Sequence, residues 1–349
     1  MKIIDLFAGV GGLTLGFEEA GFESVASVDL WSDAIDTFNH NRATKTGLLM
    51  DIKEFNKVRL PQILTNNLIT GVVGGPPCQG YSSARLSDRT EKMNGINEDQ
   101  NRLYLEFYKT VKMAEPEFFV LENVRGMLNL SGGAFVKDIL TRFGKLGYEI
   151  SYQLLNAVDF GVPQNRHRVF FVGIRNTEFV FTNKKLPIVT SGEALSDLPL
   201  LLDINLNAYS TKPKNTYQKR MRVNSPGVLN HEETRHSQQT VDIISLIPDG
   251  GSIKSLPIEY WEIRKFNKAF QRMASDRASL TIDTGHRNYF HFSENRVPTV
   301  RESARLQSFP DWFEFTSSKT SQYKQVGNAV PPLLAFHLAT QIATHLKKS

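Results

Sequence analysis

The chain has 349 residues, enough for two domains or one domain with a large insertion, and its 40% hydrophobic and 22% charged residues are those of an ordinary soluble protein. Its single cysteine excludes an internal disulfide, no Cys/His cluster has the spacing of a zinc site, and no apolar run is long enough to cross a bilayer. No cleavable signal pattern is present at the N-terminus, so we expect a cytoplasmic protein without a metal, and the net charge of +5 permits a polyanionic partner.

The first elements predict a nucleotide-type unit. Residues 2–7 are typical of a buried strand, 8–12 of a tight glycine turn and 13–20 of a helix. Such a turn presents backbone N–H groups and the positive end of a helix dipole to a ligand. A second strand ends in Asp29, where a carboxylate can bind ribose hydroxyls. The glycines do not complete a G-x-G-x-x-G pattern, so a dinucleotide and a smaller adenosine-bearing ligand both stay open.

Strands and helices continue to alternate along the first half of the chain. Further strands are predicted at 47–52, 69–75, 117–123 and 169–174, with helices at 101–114 and 135–146. This alternation predicts an α/β fold with a doubly wound, mostly parallel sheet, whose ligands bind at the carboxyl ends of the strands. Three polar or reactive residues fall at such ends, namely Asp29, Cys78 and Glu122.

Cys78 lies in the segment "VVGGPPCQGYS", where two glycines and two prolines make a rigid, helix-incompatible turn. A thiol held in this way is either a nucleophile or a small buried hydrophobic group, and the segment alone does not decide between them. In "PQNRHRVFFVGI", a strand would place Gln164, Arg166 and Arg168 on one face. The two arginines would then need an anionic or carbonyl partner, with a structural salt bridge as the alternative.

The remaining segments have less regular patterns. Residues 82–101 form a long polar stretch, which is typical of a functional loop. Residues 176–287 are rich in proline joints and contain a basic run, Thr211–Arg222, whose composition suits phosphate contacts or a merely solvated surface. An apolar stripe at helical spacing begins near Pro331.

Six segments in one order resemble the DNA (cytosine-5)-methyltransferases of bacterial restriction-modification systems: "DLFAGVGG", "GGPPCQGYS", "ENV", "QNRHR", "RESARLQSFP" and "QVGNAVPP". The resemblance covers nearly the whole chain apart from roughly 176–287. It implies a Rossmann-like fold that uses S-adenosylmethionine, with a catalytic and cofactor-binding domain at 1–175, a smaller irregular target-recognition domain at 176–287 and a return segment at 288–349. It also implies a monomer that methylates a flipped-out cytosine in double-stranded DNA and so protects host DNA from a cognate restriction endonuclease.

The resemblance assigns roles to individual residues. Cys78 would attack carbon 6 of cytosine, Glu122 would contact ring nitrogen 3, and Arg166 and Arg168 would favour the thiolate. Leu30 falls where many relatives carry a large residue against adenine. The implied cofactor contacts are Phe7, Ala8, Gly9, Gly11, Gly12, Asp29, Leu30, Asp51, Ile52, Pro77, Leu103 and Asn328. The implied DNA contacts are Gln79, Ser82, Gln164, Lys219, Arg220 and Arg222.

Three other functions remain compatible with parts of the sequence. A tRNA cytosine-5 methyltransferase would share Cys78 and Glu122, although such relatives usually have a shorter recognition region. A non-catalytic cofactor-binding DNA protein would not need Cys78, Glu122 and Arg168 together. An NAD-dependent oxidoreductase is disfavoured by the incomplete glycine pattern. Transfer of a labelled methyl group to DNA, to tRNA or to neither distinguishes these possibilities.

Overall fold

The computed structural model describes residues 1–77, 98–200, 207–263, 270–284 and 289–347. The chain forms two compact units. The first comprises Met1–Asn156, His167–Lys184 and Ala335–Ser349, and the second comprises Ala157–Arg166 and Lys185–Leu334. Within the described residues, no helix has both the length and the apolar character needed to span a membrane.

The first unit is built on a sheet whose seven described strands lie in the order β3-β2-β1-β4-β5-β7-β6. Strands β1 to β5 pair in parallel, and β7 is antiparallel to both β5 and β6. The predicted α/β fold with a mostly parallel sheet is therefore confirmed. The strands are β1 Lys2–Leu6, β2 Glu23–Asp29, β3 Gly47–Leu49, β4 Gly71–Gly74, β5 Phe118–Val124, β6 Tyr148–Asn156 and β7 His167–Arg175.

The central strands are apolar because helices cover both faces of a parallel sheet. Phe118, Phe119, Val120 and Leu121 of β5 are all fully buried. Strand β6 was not predicted, because its sequence "YEISYQLLN" mixes exposed polar and half-buried residues, as suits an edge strand with a single neighbour.

Helices connect these strands, and those predicted at 101–114 and 135–146 correspond to the observed helices Glu98–Ala114 and Ala134–Gly144. The helices of the first unit before the second unit begins are α1 Gly12–Glu19, α2 Ser32–His40, α3 Ile52–Glu54, α4 Leu60–Asn66, α5 Glu98–Ala114 and α6 Ala134–Gly144, with a π-helix at Phe55–Arg59 and a 3-10 helix at Arg125–Gly133.

The second unit is less regular, and buried ion pairs hold part of its interior. Arg305 is fully buried, and its guanidinium donates to Asp197 at 2.8 Å and to Asp311 at 2.5 Å. The polar segment "RESARLQSFP" therefore forms core and not surface. The elements of this unit are α7 Ser191–Leu195, α8 Thr216–Met221, α9 Gln238–Leu246, α10 Val300–Leu306, α11 Lys319–Asn328, β8 Gln271–Arg272 and β9 Tyr289–Phe290, with 3-10 helices at Ala157–Phe160, Ile253–Ser255 and Ile258–Ile263.

The last helix is α12, Pro332–Leu346, and from Ala335 onward it belongs to the first unit. The second unit begins and ends at different residues from the 176–287 segment defined by composition. Whether that segment recognises DNA stays a prediction.

The expected strand across residues 163–174 is wrong at its beginning. Strand β7 starts at His167, so Arg168 lies in the sheet, whereas Gln164 and Arg166 belong to the second unit. There the backbone of Gln164 forms a bridge with Ser279. The three side chains therefore do not share one strand face, because the chain before His167 pairs with a segment of the second unit that local periodicity does not reveal.

Candidate active site

The loop between β1 and α1 has the backbone conformation of a ligand-binding turn. Phe7, Gly9 and Gly11 have φ angles of 60°, 55° and 80°, in the left-handed region. The Gly11 N–H donates to the Ala8 carbonyl at 2.8 Å, and the Ala8 N–H donates to Val28 at 3.1 Å. Phe7 pays the steric cost of a non-glycine residue in this region, which is usual where a turn serves a function.

Arg42 holds this loop from the side, a role that the sequence did not suggest. Its guanidinium donates to the Gly11 carbonyl at 3.4 Å and to both carboxylate oxygens of Glu18, at 3.1 and 3.3 Å. It also lies 3.7 Å from the centre of the Phe38 ring. A Cβ at Gly11 would lie 2.5 Å from Phe38, so only glycine fits this position.

Asp29 ends β2 beside the loop, as predicted. One carboxylate oxygen accepts from the Gly9 N–H at 2.8 Å, and the other accepts from the Trp31 N–H at 2.9 Å. Burial raises the pKa of Asp29, while these backbone N–H groups oppose that rise. The carboxylate therefore shapes the loop as well as facing the carboxyl edge of the sheet.

Asp5 lies beneath the loop inside β1 and is 1% exposed. The Thr14 hydroxyl, on α1, donates to one of its carboxylate oxygens. Burial raises the pKa of Asp5 from 3.8 to about 7, and the Thr14 hydrogen bond only partly opposes this rise. A lone acid within an apolar strand was the available sequence signal for this group.

The other predicted cofactor contacts occupy varied environments. Leu30 is 64% exposed, and Asp51 caps α3 by accepting from the Lys53 N–H at 2.7 Å. Ile52 is buried, whereas Pro77 and Leu103 are half-buried. Gly12 is the first residue of α1, and the exposed Asn328 is the last residue of α11 in the second unit. Their cofactor contacts stay predictions.

Glu122 and Arg168 form an ion pair between β5 and β7, near the carboxyl end of β5. Glu122 Oε1 lies 3.0 Å from Arg168 Nε, and the two side chains are 13% and 17% exposed. The pair bridges neighbouring antiparallel strands, because Arg168 on β7 is opposite Val124, two residues from Glu122 on β5. Burial lowers the pKa of Arg168, and the charge of Glu122 opposes this effect.

Two glycines at the end of β4 permit very close approaches, Gly75 to Glu122 and Gly74, the last residue of the strand, to β1. A Cβ at Gly75 would lie 2.7 Å from Glu122 Oε2, and one at Gly74 would lie 2.3 Å from the Leu6 carbonyl oxygen. Asn123 also donates to the Pro76 carbonyl at 2.8 Å, which ties β5 to the chain leading towards Cys78. Cys78, Gln79 and Ser82 themselves lie outside the described residues.

Arg166 and Gln164 are buried within the second unit. The Arg166 guanidinium donates to the Gly327 carbonyl at 2.7 Å and to the Ile282 carbonyl at 3.3 Å. The Gln164 amide accepts from the Ile282 N–H at 3.0 Å and donates to Gln307. Gln164 is fully buried, so a DNA contact through its side chain would require these bonds to be exchanged.

The basic side chains of the run Thr211–Arg222, part of which forms α8, differ in their partners and in their exposure. Arg222 donates to Asp197 at 3.3 Å and to the Thr211 carbonyl at 2.8 Å, and it stacks over Tyr209 at 3.6 Å. Lys219 is exposed and Arg220 is half-exposed. The sequence suggested no acidic neighbour for the run, but the fold supplies Asp197 from elsewhere. Phosphate contacts by these residues stay predictions.

Among the described residues, one group has metal-ligand composition: His291, Glu294 and Glu302. Arg296 donates to both oxygens of Glu302 at 2.7 Å and also bonds Glu294. Burial lowers the pKa of His291 to about 4, so its ring is neutral. Burial opposes ionisation of Glu302, but Arg296, which donates to both of its carboxylate oxygens, holds its pKa below the usual range. An arginine therefore supplies the positive charge in this cluster.

Comparisons with known proteins agree across the length of the chain. The model of the C-5 cytosine-specific DNA methylase family matches residues 1–344. The type II methyltransferase M1.HphI of Haemophilus parahaemolyticus is 36% identical over 98% of this chain and 86% of its own length. The type II methyltransferase M.DdeI of Desulfomicrobium norvegicum is 35% identical over 99% of this chain and 89% of its own.

Solved structures also share the fold. A protein described as a DNA modification methyltransferase encoded within an Escherichia coli prophage has a TM-score of 0.83 at 26% identity, with 99% of each chain covered. The Dnmt2 methyltransferase of S. pombe has a TM-score of 0.62 at 14% identity, with 99% of each chain covered, and this likeness concerns the fold alone.

Proposed function

Because the chain belongs to the C-5 cytosine-specific DNA methylase family, we propose that Cys78 and Glu122 carry out methyl transfer from S-adenosylmethionine to carbon 5 of a cytosine in double-stranded DNA. The activity is that of a DNA cytosine-5 methyltransferase of the type II restriction-modification class. The observation that carries the residue assignment is the Glu122–Arg168 pair beside Gly75, three residues before Cys78.

The reaction needs a nucleophile because carbon 5 of cytosine is itself a poor one. The Cys78 thiolate would form a bond to carbon 6, and the electron pair of the ring double bond would become available at carbon 5. That carbon would take the methyl group that S-adenosylmethionine supplies, while the methyl–sulfur bond breaks and the neutral thioether leaves. Transfer of the carbon 5 proton to water then restores the double bond and expels the thiolate. The carboxylic acid form of Glu122 would donate a hydrogen bond or its proton to ring nitrogen 3, where negative charge develops on attack.

The geometry around Glu122 suits that task. Arg168 binds Oε1 through its Nε, which fixes the direction of the carboxyl group, and Oε2 lies on the side of Gly75. Both side chains are mostly buried, so their interaction is weakly screened by solvent. A cationic group in this region also favours the thiolate form of Cys78.

The residues around the glycine loop fit S-adenosylmethionine, which supplies the methyl group when bound. Among the described residues no side chain caps α1, whose N-cap is Gly11, and no acidic residue lies in its first turn. Its N-terminal N–H groups therefore suit the carboxylate of an amino-acid ligand. Asp29 lies at the adjacent strand end and suits ribose hydroxyls.

Methyl-label transfer tests this function. Purified wild-type protein with labelled S-adenosylmethionine should label duplex DNA and leave tRNA unlabelled. Label in tRNA alone would support the RNA-modifying alternative, and label in neither would support a non-catalytic binder. Sequencing the labelled DNA for 5-methylcytosine then gives the recognised site.

The covalent route has its own test, which uses the single cysteine of the chain. Duplex DNA carrying 5-fluorocytosine should trap the wild-type enzyme in an adduct that survives denaturation, because fluorine cannot leave carbon 5 as a proton does. Cys78→Ser should form no adduct and should still bind cofactor. Appreciable methylation by the serine variant would refute the role of Cys78.

DNA recognition by residues 176–287, action as a monomer and protection against a cognate restriction endonuclease belong to the same proposal. The family supports action on DNA, and the type II relatives support the protection. Survival of DNA from cells expressing the protein, after digestion with endonucleases of known specificity, tests the protection directly.

A further inference from the structure

A buried polar network joins two helical segments of the first unit. Asn56 lies in the π-helix Phe55–Arg59, a rare element that is often found at functional sites, and Glu106 and Thr110 lie one turn apart on α5. The Asn56 amide donates to the Glu106 carbonyl at 3.0 Å and to Glu106 Oε2 at 3.1 Å. The Thr110 hydroxyl donates to Asn56 Oδ1 at 2.6 Å. These three buried residues, the Asn56 network, therefore tie the π-helix to α5.

The directions of these hydrogen bonds follow from one unambiguous acceptor. A backbone carbonyl can only accept, so the Asn56 NH₂ group must face Glu106 and the Asn56 oxygen must face Thr110. Glu106 Oε1 accepts from Lys109 at 2.7 Å, so both oxygens of this carboxylate are bonded. A buried network whose members are all bonded fixes one arrangement of the elements that carry them.

Each side of the Asn56 network lies about one helical turn from a predicted cofactor contact. Ile52 is four residues before Asn56, and Leu103 is three residues before Glu106, and residues at these spacings share a helix face. Ile52 is part of the apolar core of the first unit, and Leu103 packs against that core. Phe7, from the glycine loop, packs against the same core.

Backbone hydrogen bonds connect the chain before Ile52 to the glycine loop. The Met50 N–H donates to the Asp29 carbonyl at 3.0 Å, and the Asp29 carboxylate accepts from the Gly9 N–H at 2.8 Å. The start of α3 is thus held at the strand end that also holds the loop. Leu103 comes from a different helix, and the Asn56 network supplies a polar restraint between that helix and the segment of Ile52.

From these contacts we propose that the Asn56 network positions Leu103 relative to Ile52 for contact with S-adenosylmethionine. The inference rests on the proposed function, which makes Ile52 and Leu103 cofactor contacts. The members of the network are positioning residues, because they act through the helix that carries Leu103 and do not touch the cofactor.

Calorimetry of S-adenosylmethionine binding to the full chain tests this positioning. Thr110→Val keeps the shape of the side chain and removes the hydroxyl that holds the Asn56 amide, whereas Thr110→Ser keeps a hydroxyl. We expect Thr110→Val to raise the Kd about fivefold, within the range for members of one hydrogen-bond network, and Thr110→Ser to stay within about twofold of the wild type. Asn56→Leu removes both sides of the network and should raise the Kd at least as much as Thr110→Val.

Two further measurements distinguish positioning from a general loss of function. In a Leu103→Ala background, Thr110→Val should raise the Kd less than about twofold, because the positioned side chain is gone. Single-turnover methyl transfer at saturating cofactor should keep the wild-type rate in Thr110→Val, since the change weakens cofactor binding and leaves Cys78 and Glu122 intact.

Tyr148→Phe is the matched control for stability. Tyr148 is buried in the same apolar core, and its hydroxyl donates to the Pro116 carbonyl at 2.7 Å. Like Thr110→Val, this change removes one buried hydroxyl from the first unit. It should lower the melting temperature to a similar extent without a comparable change in the Kd.

A wild-type Kd in Thr110→Val would overturn the positioning, and so would an equal rise in Tyr148→Phe or in the Leu103→Ala background. An unchanged Kd in Leu103→Ala alone would also overturn it. If Asn56→Leu fails to fold, Thr110→Val decides, and loss of the fold in both would show that the network merely holds the unit together. A wild-type chain that transfers no methyl label would instead defeat the proposed function, so the two failures are distinguishable.

Discussion

Gly75→Ala is a steric probe of Glu122 that removes no polar group from the protein. The added methyl carbon would lie 2.7 Å from Glu122 Oε2, and ordinary contact begins at 3.4 Å, so the carboxyl oxygen must move by about 0.7 Å. Gly75 has no left-handed φ, so alanine brings no backbone strain. The displaced atom is the end of a flexible side chain, and we expect the free energy of unfolding to change by less than about 1 kcal/mol.

Catalysis should be far more sensitive than stability to this displacement. A misplacement of about 1 Å can cost about 100-fold in rate, so 0.7 Å corresponds to about 20-fold, or about 1.8 kcal/mol in the activation free energy. The assay is single-turnover transfer of a labelled methyl group at saturating DNA and cofactor. The Kd for S-adenosylmethionine should stay unchanged, because the glycine loop that precedes α1 is not altered.

Gly144→Ala is the matched control, because a Cβ there meets no heavy atom within 4 Å. This variant should keep the wild-type rate and melting temperature. A folded Gly75→Ala enzyme with the wild-type single-turnover rate would refute the reasoning, since Glu122 would then not need its observed position.

Four further substitutions test other parts of the structure. Asp29→Ala should raise the Kd for S-adenosylmethionine by at least about tenfold in calorimetry, because a charged hydrogen bond contributes about 1.5–3 kcal/mol. An unchanged Kd would contradict the assignment of Asp29 to the ribose. The folded pKa of Asp5, about 7, is above its ordinary 3.8, so its contribution to stability is present below pH 4 and is lost as pH rises to about 7. In urea unfolding, the free energy of unfolding should fall by at most about 4 kcal/mol between pH 4 and pH 7, and Asp5→Asn should reduce this fall. An equal pH dependence in the wild type and the variant would count against the raised pKa. Lys219→Ala should reduce the slope of log binding constant against log salt concentration by about one, with little change in stability. Arg222→Ala should instead lower the melting temperature, because it removes a partner of the buried Asp197. The reverse pattern would assign the phosphate contact to Arg222.

Much of the fold was determined by local sequence. Apolar runs separated by glycine turns predicted the strands β1 to β5. The reason is clearest for the fully buried β4, because a strand that is covered on both faces must be apolar throughout. Asp29 is the last residue of β2, as the same runs predicted, whereas β5 continues two residues beyond the predicted end at Glu122. The glycine loop could also be predicted from the sequence, because left-handed backbone conformations favour glycine.

Only the tertiary structure decided how the buried cations are used. Arg166 and Arg168 are two residues apart, yet Arg168 pairs with Glu122 and Arg166 binds backbone carbonyls at Ile282 and Gly327. Every residue carries a carbonyl, so nothing in the local sequence distinguishes the one that a buried arginine will bind. The same reasoning applies to Arg222, whose partner Asp197 comes from a different segment. Strand ends and turns are set by neighbouring residues and can be predicted from them, whereas the partners of buried charges are set by contacts far apart in the chain.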